Sequence, residues 1–405
     1  MPQPVSRPAL PLVGHSWTDL IAKKDIFLLD MALAQEGWRE CLWTDTTERR
    51  AQSPLVLCVE NRWLDGARLI MEKGGDGSEY LAFENPRSTP IFHRSIVEHA
   101  ARIALKLKND DGQPFFDLFK TSLSLEKPLR VEFFGEKTEM SFLSFAACYD
   151  RAYAIEWMMS RATARKRDPD GITPFMWAAS SNSLGALKLL APASDRNALS
   201  ETGMNALMRA AHTPINASRS LAWLANKKGA RQQSLAGETA LMMAAENRNG
   251  IERVRILAPL SNVDARRLDG DTALLIACKI REGAPNDEEH QAETLAIAQC
   301  LAEHGARLDQ VDAQGRTPLA LAAGRQLWPT VDFLAMRLPA QAIQMGLRES
   351  CSGKLPQFEA LMQARELAQV VESTKPPPTV FLNQGAGDVS GPGQTTKVAN
   401  KARRV

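Results

Sequence analysis

Residues 315–323 read GRTPLALAA, a glycine followed by a Thr-Pro turn and then a small, apolar run. The same order recurs upstream as GDTALLIAC from Gly270, GETALMMAA from Gly237, GMNALMRAA from Gly203 and GITPFMWAA from Gly171. Successive glycines stand 32, 34, 33 and 45 residues apart. That is a period of about 33 residues with an insertion of about 12 in the last gap, and a fixed period of this size marks a stacked-repeat architecture.

The best-formed copy spans 168–195, DPDGITPFMWAASSNSLGALKLLAPASD. Gly171 suits a turn position with positive φ, where a side chain would be strained. Thr173 can cap a helix through its hydroxyl, and Pro174 fits the first helical position, where no amide is missed. The Ala178-Ala179 pair lets a neighbouring backbone approach, while Phe175 and Trp177 supply bulk. After Ser181-Asn182-Ser183, the leucines at 184, 187, 189 and 190 form a second apolar stripe at helical spacing. Each unit is then two short helices and a turn. Neither helix can hide its apolar face alone, so the units must stack.

This pattern resembles the ankyrin repeat, D-x-x-G-x-T-P-L-H-x-A-A followed by a second helix ending in L-L-x-x-G-A. The resemblance implies an all-α solenoid of about eight helix-turn-helix units with a helical C-terminal cap, and a protein partner in place of a substrate. The family histidine is replaced by Met176, Met208, Met242, Leu275 and Ala320, which removes a link between loops, and Asn205 stands where threonine is usual. Upstream, residues 53–76 fit well, 21–37 look like half of a capping repeat, and the stretches from Ser88 and Met140 fit more loosely. The expected organisation is an arm over 1–16, the array over 17–340, a helical cap over 341–372 and a disordered Pro/Gly-rich basic tail over 373–405. Within the array, 109–138 is out of register and reads as an insertion or distorted repeat, and an acidic loop is expected over 281–294.

Composition narrows the function classes. Lys and Arg number 49 against 47 Asp and Glu, so no overall field argues for nucleic acid or an anionic membrane. No 18-residue apolar run is present. The six cysteines, at 41, 58, 148, 278, 300 and 351, form no CxxC pair, which fits reduced thiols in a cytoplasm. His93 and His99 lie six apart, whereas two ligands on one helix face need i and i+4. No P-loop, nucleophile elbow or HExxH is present. No cofactor, metal or enzymatic role is expected. QGAGDVSGPG at 384–393 reads as a linker, and Pro376–Pro378 as a weak polyproline signal.

Packing consumes the framework positions, which leaves the turn tips and the ends of the first helices to carry specificity. The candidate partner-binding residues are Asp170, Ile172, Ser180, Ser181, Met204, Arg209, His212, Thr213, Glu238, Glu246, Asn247, Asp271, Lys279, Gln314, Arg316 and Arg325. Their chemistry grades from neutral through acidic to basic, which suits an extended ligand of complementary charge. Arg209 stands out because its sister positions, Trp177, Met243 and Ile276, are apolar; it must snorkel or find a partner. The resulting expectation is a monomeric, cytoplasmic protein-binding scaffold that uses the concave face of the array. The loose, Ala- and Arg-rich repeats resemble bacterial ankyrin proteins, including effectors delivered into host cells. Two other readings are an F-box-like ligase adaptor, from Leu10-Pro11, Asp25-Ile26 and Trp38-Arg39, and an enzyme with its site in 109–138.

Overall fold

The computed structural model describes residues 17–35, 53–75, 96–108, 110–125, 128–133, 136–159, 165–248, 250–279, 288–339 and 342–343. All fall within the compact unit Met1–Gly353. The N-terminal arm, the basic tail, the linker at 384–393, Leu10-Pro11 and Trp38-Arg39 of the F-box reading, His93, Cys41, Cys351 and nearly all of the 341–372 cap lie outside the described residues.

Helices follow one another in antiparallel pairs: α1 (Trp17–Lys23) with α2 (Ile26–Leu33), α3 (Pro54–Glu60) with α4 (Leu64–Glu72), and α5 (Ile96–Lys106) with α6 (Gln113–Phe119). Two strands, β1 (Leu129–Phe133) and β2 (Glu136–Met140), come next. They are followed by α7 (Phe142–Cys148) with α8 (Ala152–Met159), α9 (Pro174–Ser180) with α10 (Leu184–Leu190), and α11 (Ala206–His212) with α12 (Ser218–Leu224). After the short α13 (Lys227–Arg231) come α14 (Ala240–Glu246) with α15 (Ile251–Leu257), α16 (Ala273–Lys279) with α17 (Glu288–Glu303), and α18 (Pro318–Gly324) with α19 (Trp328–Arg337). First helices pack on first helices from α7 through α9, α11, α14 and α16 to α18, and second helices form a parallel row from α2 to α19. The core lies between the rows. The alanine pairs 146–147, 178–179, 210–211, 244–245 and 322–323 are buried throughout, so helices of seven residues can touch at close range.

The period is written into the backbone. Gly171, Gly203, Gly237, Gly270 and Gly315 all adopt positive φ, between 73° and 86°. At each, the residue three before the glycine donates its N–H to the carbonyl one after it: Asp168 to Ile172, Ser200 to Met204, Ser234 to Glu238, Arg267 to Asp271, and Asp312 to Arg316. Neighbouring turns are laced together as well, with the Glu201, Leu235 and Leu268 amides donating to the carbonyls of Asp170, Thr202 and Ala236. This ladder satisfies backbone groups that a loop would otherwise leave to solvent. A Cβ on Gly203 would come within 2.8 Å of the Leu235 nitrogen, so the close approach as well as φ requires glycine there.

Each turn feeds a capped helix. Ser53, Ser141, Thr173, Asn205, Thr239 and Thr317 accept from the backbone amide three residues on, and Pro54, Pro174 and Pro318 occupy the first helical position. Thr173 and Asn205 cap as their sequence positions indicate. The methionines that replace histidine retain one weak link: the Thr239 amide lies 3.5 Å from the Met242 sulfur.

The chain is mostly helical, and the departure falls in the out-of-register segment. The antiparallel hairpin pairs Leu129 with Met140, Val131 with Thr138 and Phe133 with Glu136. Leu129, Val131 and Met140 are buried, so the alternation in LRVEF sets one face of β1 against the array. The hairpin runs into Ser141, the cap of α7, and so occupies the place of a repeat's turn as a longer finger. In the acidic insertion, residues 288–294 form the first part of α17 rather than a loop.

Candidate functional site

Two sister positions create the site. Trp177 and Arg209 each lie six residues after their repeat's glycine, so stacking α9 against α11 brings them side by side. The Arg209 guanidinium carbon sits 5.0 Å from the centroid of the Trp177 ring, and its Nε donates to Ser180 Oγ at 3.2 Å. Stacking on an aromatic face suits guanidinium better than ammonium. An arginine among apolar sister residues is thereby fixed at the wall of an open groove of about 560 Å³.

The groove gathers seven of the sixteen sequence candidates: Asp170, Ile172, Ser180, Met204, Arg209, His212 and Thr213. Trp177, Ser200, Glu201, Thr202, Pro214 and, from the hairpin, Thr138 complete it. Met204 is half-buried and Glu201, Asp170 and His212 are exposed. Ser200 and Thr202 hydroxyls lie 2.8 Å apart. Two hydroxyls at the wall, Thr138 Oγ1 and Thr213 Oγ1, are enclosed and have no hydrogen-bond partner within the protein.

Behind the groove stands a buried carboxylate. Asp168 accepts from the Ser141 amide at 2.9 Å, Ser144 Oγ at 3.2 Å and Trp177 Nε1 at 2.5 Å. Burial pushes its carboxyl up to about 6, and the three donors only partly oppose this. In this repeat the indole of Trp177 ties α9 to the turn that precedes it.

A second unread residue is Arg253 on α15, 1% exposed. Its Nη1 donates to the carbonyls of Ala211 and Thr213 at 2.8 and 2.7 Å. It therefore closes the C-terminal end of α11 directly beneath the groove. Asn247 helps from the same repeat, with its amide on the carbonyls of Ala211, His212 and Met243.

The other candidates do not join the groove. Ser181 is half-buried at the end of α9. Glu246 ends α14, and the exposed Arg325 follows α18. Gln314 is exposed and accepts from Arg316 at 3.2 Å. The graded charge expected along the array is corrected by its pairing: Lys279 bridges Asp271 at 2.5 Å and Asp312 at 2.8 Å, while Arg316 holds Asp312 at 2.9 Å and Arg267 reaches Glu238 and Asp271. The side chains of Asp271 and Asp312 are 1% and 0% exposed, so these charges join one repeat to the next. Burial raises the Asp312 carboxyl, but Lys279 and Arg316 outweigh it and hold it down at about 2.

The thiols of Cys58, Cys148, Cys278 and Cys300 are buried and unpaired, and burial pushes all four up. Among the described residues, no group of three or more His, Cys, Asp or Glu could hold a metal ion, and no helix is long and apolar enough to cross a membrane.

The family model for ankyrin repeats, three copies, matches residues 143–234. Residues 143–234 are ankyrin repeats. That span contains every groove residue except Thr138, and the glycine turns at 237, 270 and 315 repeat the backbone geometry of those at 171 and 203. Among solved structures, an ankyrin repeat domain from Acinetobacter baumannii is 28% identical, with 48% of this chain and 96% of that chain covered and a TM-score of 0.40. The ankyrin repeat protein EF0377 is 22% identical, with 49% and 97% covered and a TM-score of 0.41. No curated protein matches the sequence.

Proposed function

We propose that the chain is a non-catalytic scaffold that binds a partner protein through the groove between its turn tips and first helices. The observation that carries this reading is the convergence at one place of variable-position side chains, including exposed Asp170, Glu201 and His212, on a framework whose other positions are buried. Ankyrin repeats are generally protein-interaction modules, and a mixed polar and apolar concavity suits an exchangeable partner. The four unpaired, buried thiols support work in a reducing cytoplasm.

The test is site-specific. Met204→Arg fills the groove, whereas Lys188→Glu alters an exposed position on the second-helix row. Partners captured by the wild-type chain should bind at least about tenfold more weakly to the first variant and equally well to the second. Equal capture by Met204→Arg would move the binding surface elsewhere.

A further inference from the structure

The groove carries more information than its position. Its charged centre is the Arg209 guanidinium, held against Trp177 at 5.0 Å and on Ser180. Trp177, Ile172 and Met204 supply apolar wall, which lowers the local dielectric and strengthens any ion pair formed there. A stacked guanidinium set in apolar wall suits an anionic ligand with acceptor oxygens.

The rim restricts which anion. Asp170 and Glu201 line the same groove and are exposed, so a polyphosphate or nucleic-acid backbone would meet repulsion at the entrance. A single carboxylate next to a basic or amide side chain meets attraction at both levels.

We propose that the groove receives one aspartate or glutamate side chain of an extended partner segment, bound by Arg209, while a neighbouring basic residue of that segment faces Asp170 and Glu201. This assignment rests on the reading of the groove as the partner site. It names the chemistry of the anchor rather than the partner.

The experiment uses the full chain and nonapeptide pools with a fixed central Asp, Glu, Asn, Gln or phosphoserine and randomised flanks. Affinity is read by anisotropy, and contact by methyl NMR of Met204 and Ile172. The Asp and Glu pools should bind at least tenfold more tightly than the Asn and Gln pools and shift both methyl signals, with Lys or Arg enriched next to the anchor. Arg209→Met should erase that preference and Arg209→Lys should keep part of it, with circular dichroism confirming the fold of each variant. Pools that shift the methyls without acid preference, or a preference for phosphoserine, overturn the carboxylate assignment and leave the groove as the binding site. Failure of every pool to shift either methyl overturns both.

Discussion

Asp168 shows how one side chain couples the repeat framework to solvent conditions. Its carboxyl takes three donors, one from the chain entering α7, one from inside α7 and one from Trp177, yet no cation bonds to it directly and burial pushes its carboxyl up to about 6. In an unfolded chain an aspartate titrates near 3.9. Between these two values the folded state binds the extra proton, so the contribution of this group to stability is full below about pH 4 and is lost as pH rises to about 6. The loss is on the order of 3 kcal/mol. Asp312 acts in the opposite sense: its carboxyl is held down at about 2, and the stability it provides disappears as pH falls below about 4. The two effects are separated by comparing wild type with Asp168→Asn in urea melts from pH 7 to pH 5. Wild type should gain on the variant as pH falls, and parallel curves would show that Asp168 is already solvated or charge-compensated.

Among the elements, α15 has the least obvious role, since Arg253 crosses from it to the carbonyls at the end of α11. Arg253→Met keeps the volume but removes the guanidinium donor from the Thr213 carbonyl and leaves the Ala211 carbonyl to Asn247 alone. We expect a loss of about 1.5–3 kcal/mol, the range for hydrogen bonds to charged groups, with increased amide exchange at 209–217; an unchanged urea midpoint would mean that water replaces the guanidinium. The sequence IERVRIL shows Ile251, Val254 and Leu257 at helical spacing, but nothing in it tells Arg253, buried, from Arg255, exposed, because the distinction depends on what the preceding repeat places opposite. By contrast, the turns, caps and alanine pairs were legible, since each answers a local demand of φ, an orphan amide or close approach. The groove was half legible. Variable positions 170, 172, 204 and 209 pointed to it, while Thr138 did not: LRVEF alternates as a strand should, but the phenylalanines and charges of 109–137 read as an insertion or distorted repeat. Asp271, Lys279 and Arg316 were read as partner-facing charges because only stacking reveals that Lys279 joins Asp271 to Asp312, the carboxylate that Arg316 holds.

For the array as a whole, neighbouring units are held by packing, by the turn ladder and by charge. Lys279 sits between two buried carboxylates belonging to consecutive repeats. Removing one partner from such a group costs about 3–5 kcal/mol because the remaining charges stay buried. In a linear array that loss falls on one interface rather than on the whole. Lys279→Met should therefore split equilibrium unfolding, with residues 312–338 losing hydrogen-exchange protection at lower urea than residues 171–246. A single transition at the wild-type midpoint would show that the junction is held by its apolar contacts alone.

Along the turns at 200–203, 234–237 and 267–270 the backbone repeats itself almost identically, and a track made of equal steps offers a long ligand several equivalent alignments. The hairpin at 129–140 abolishes that equivalence. It stands where a turn should be and adds Thr138 to one groove only among those described, acting as a fixed stop from which every later step is counted. If the partner proposed above lies along the array, it has one starting point, and shifting by one unit costs it the contacts at that end.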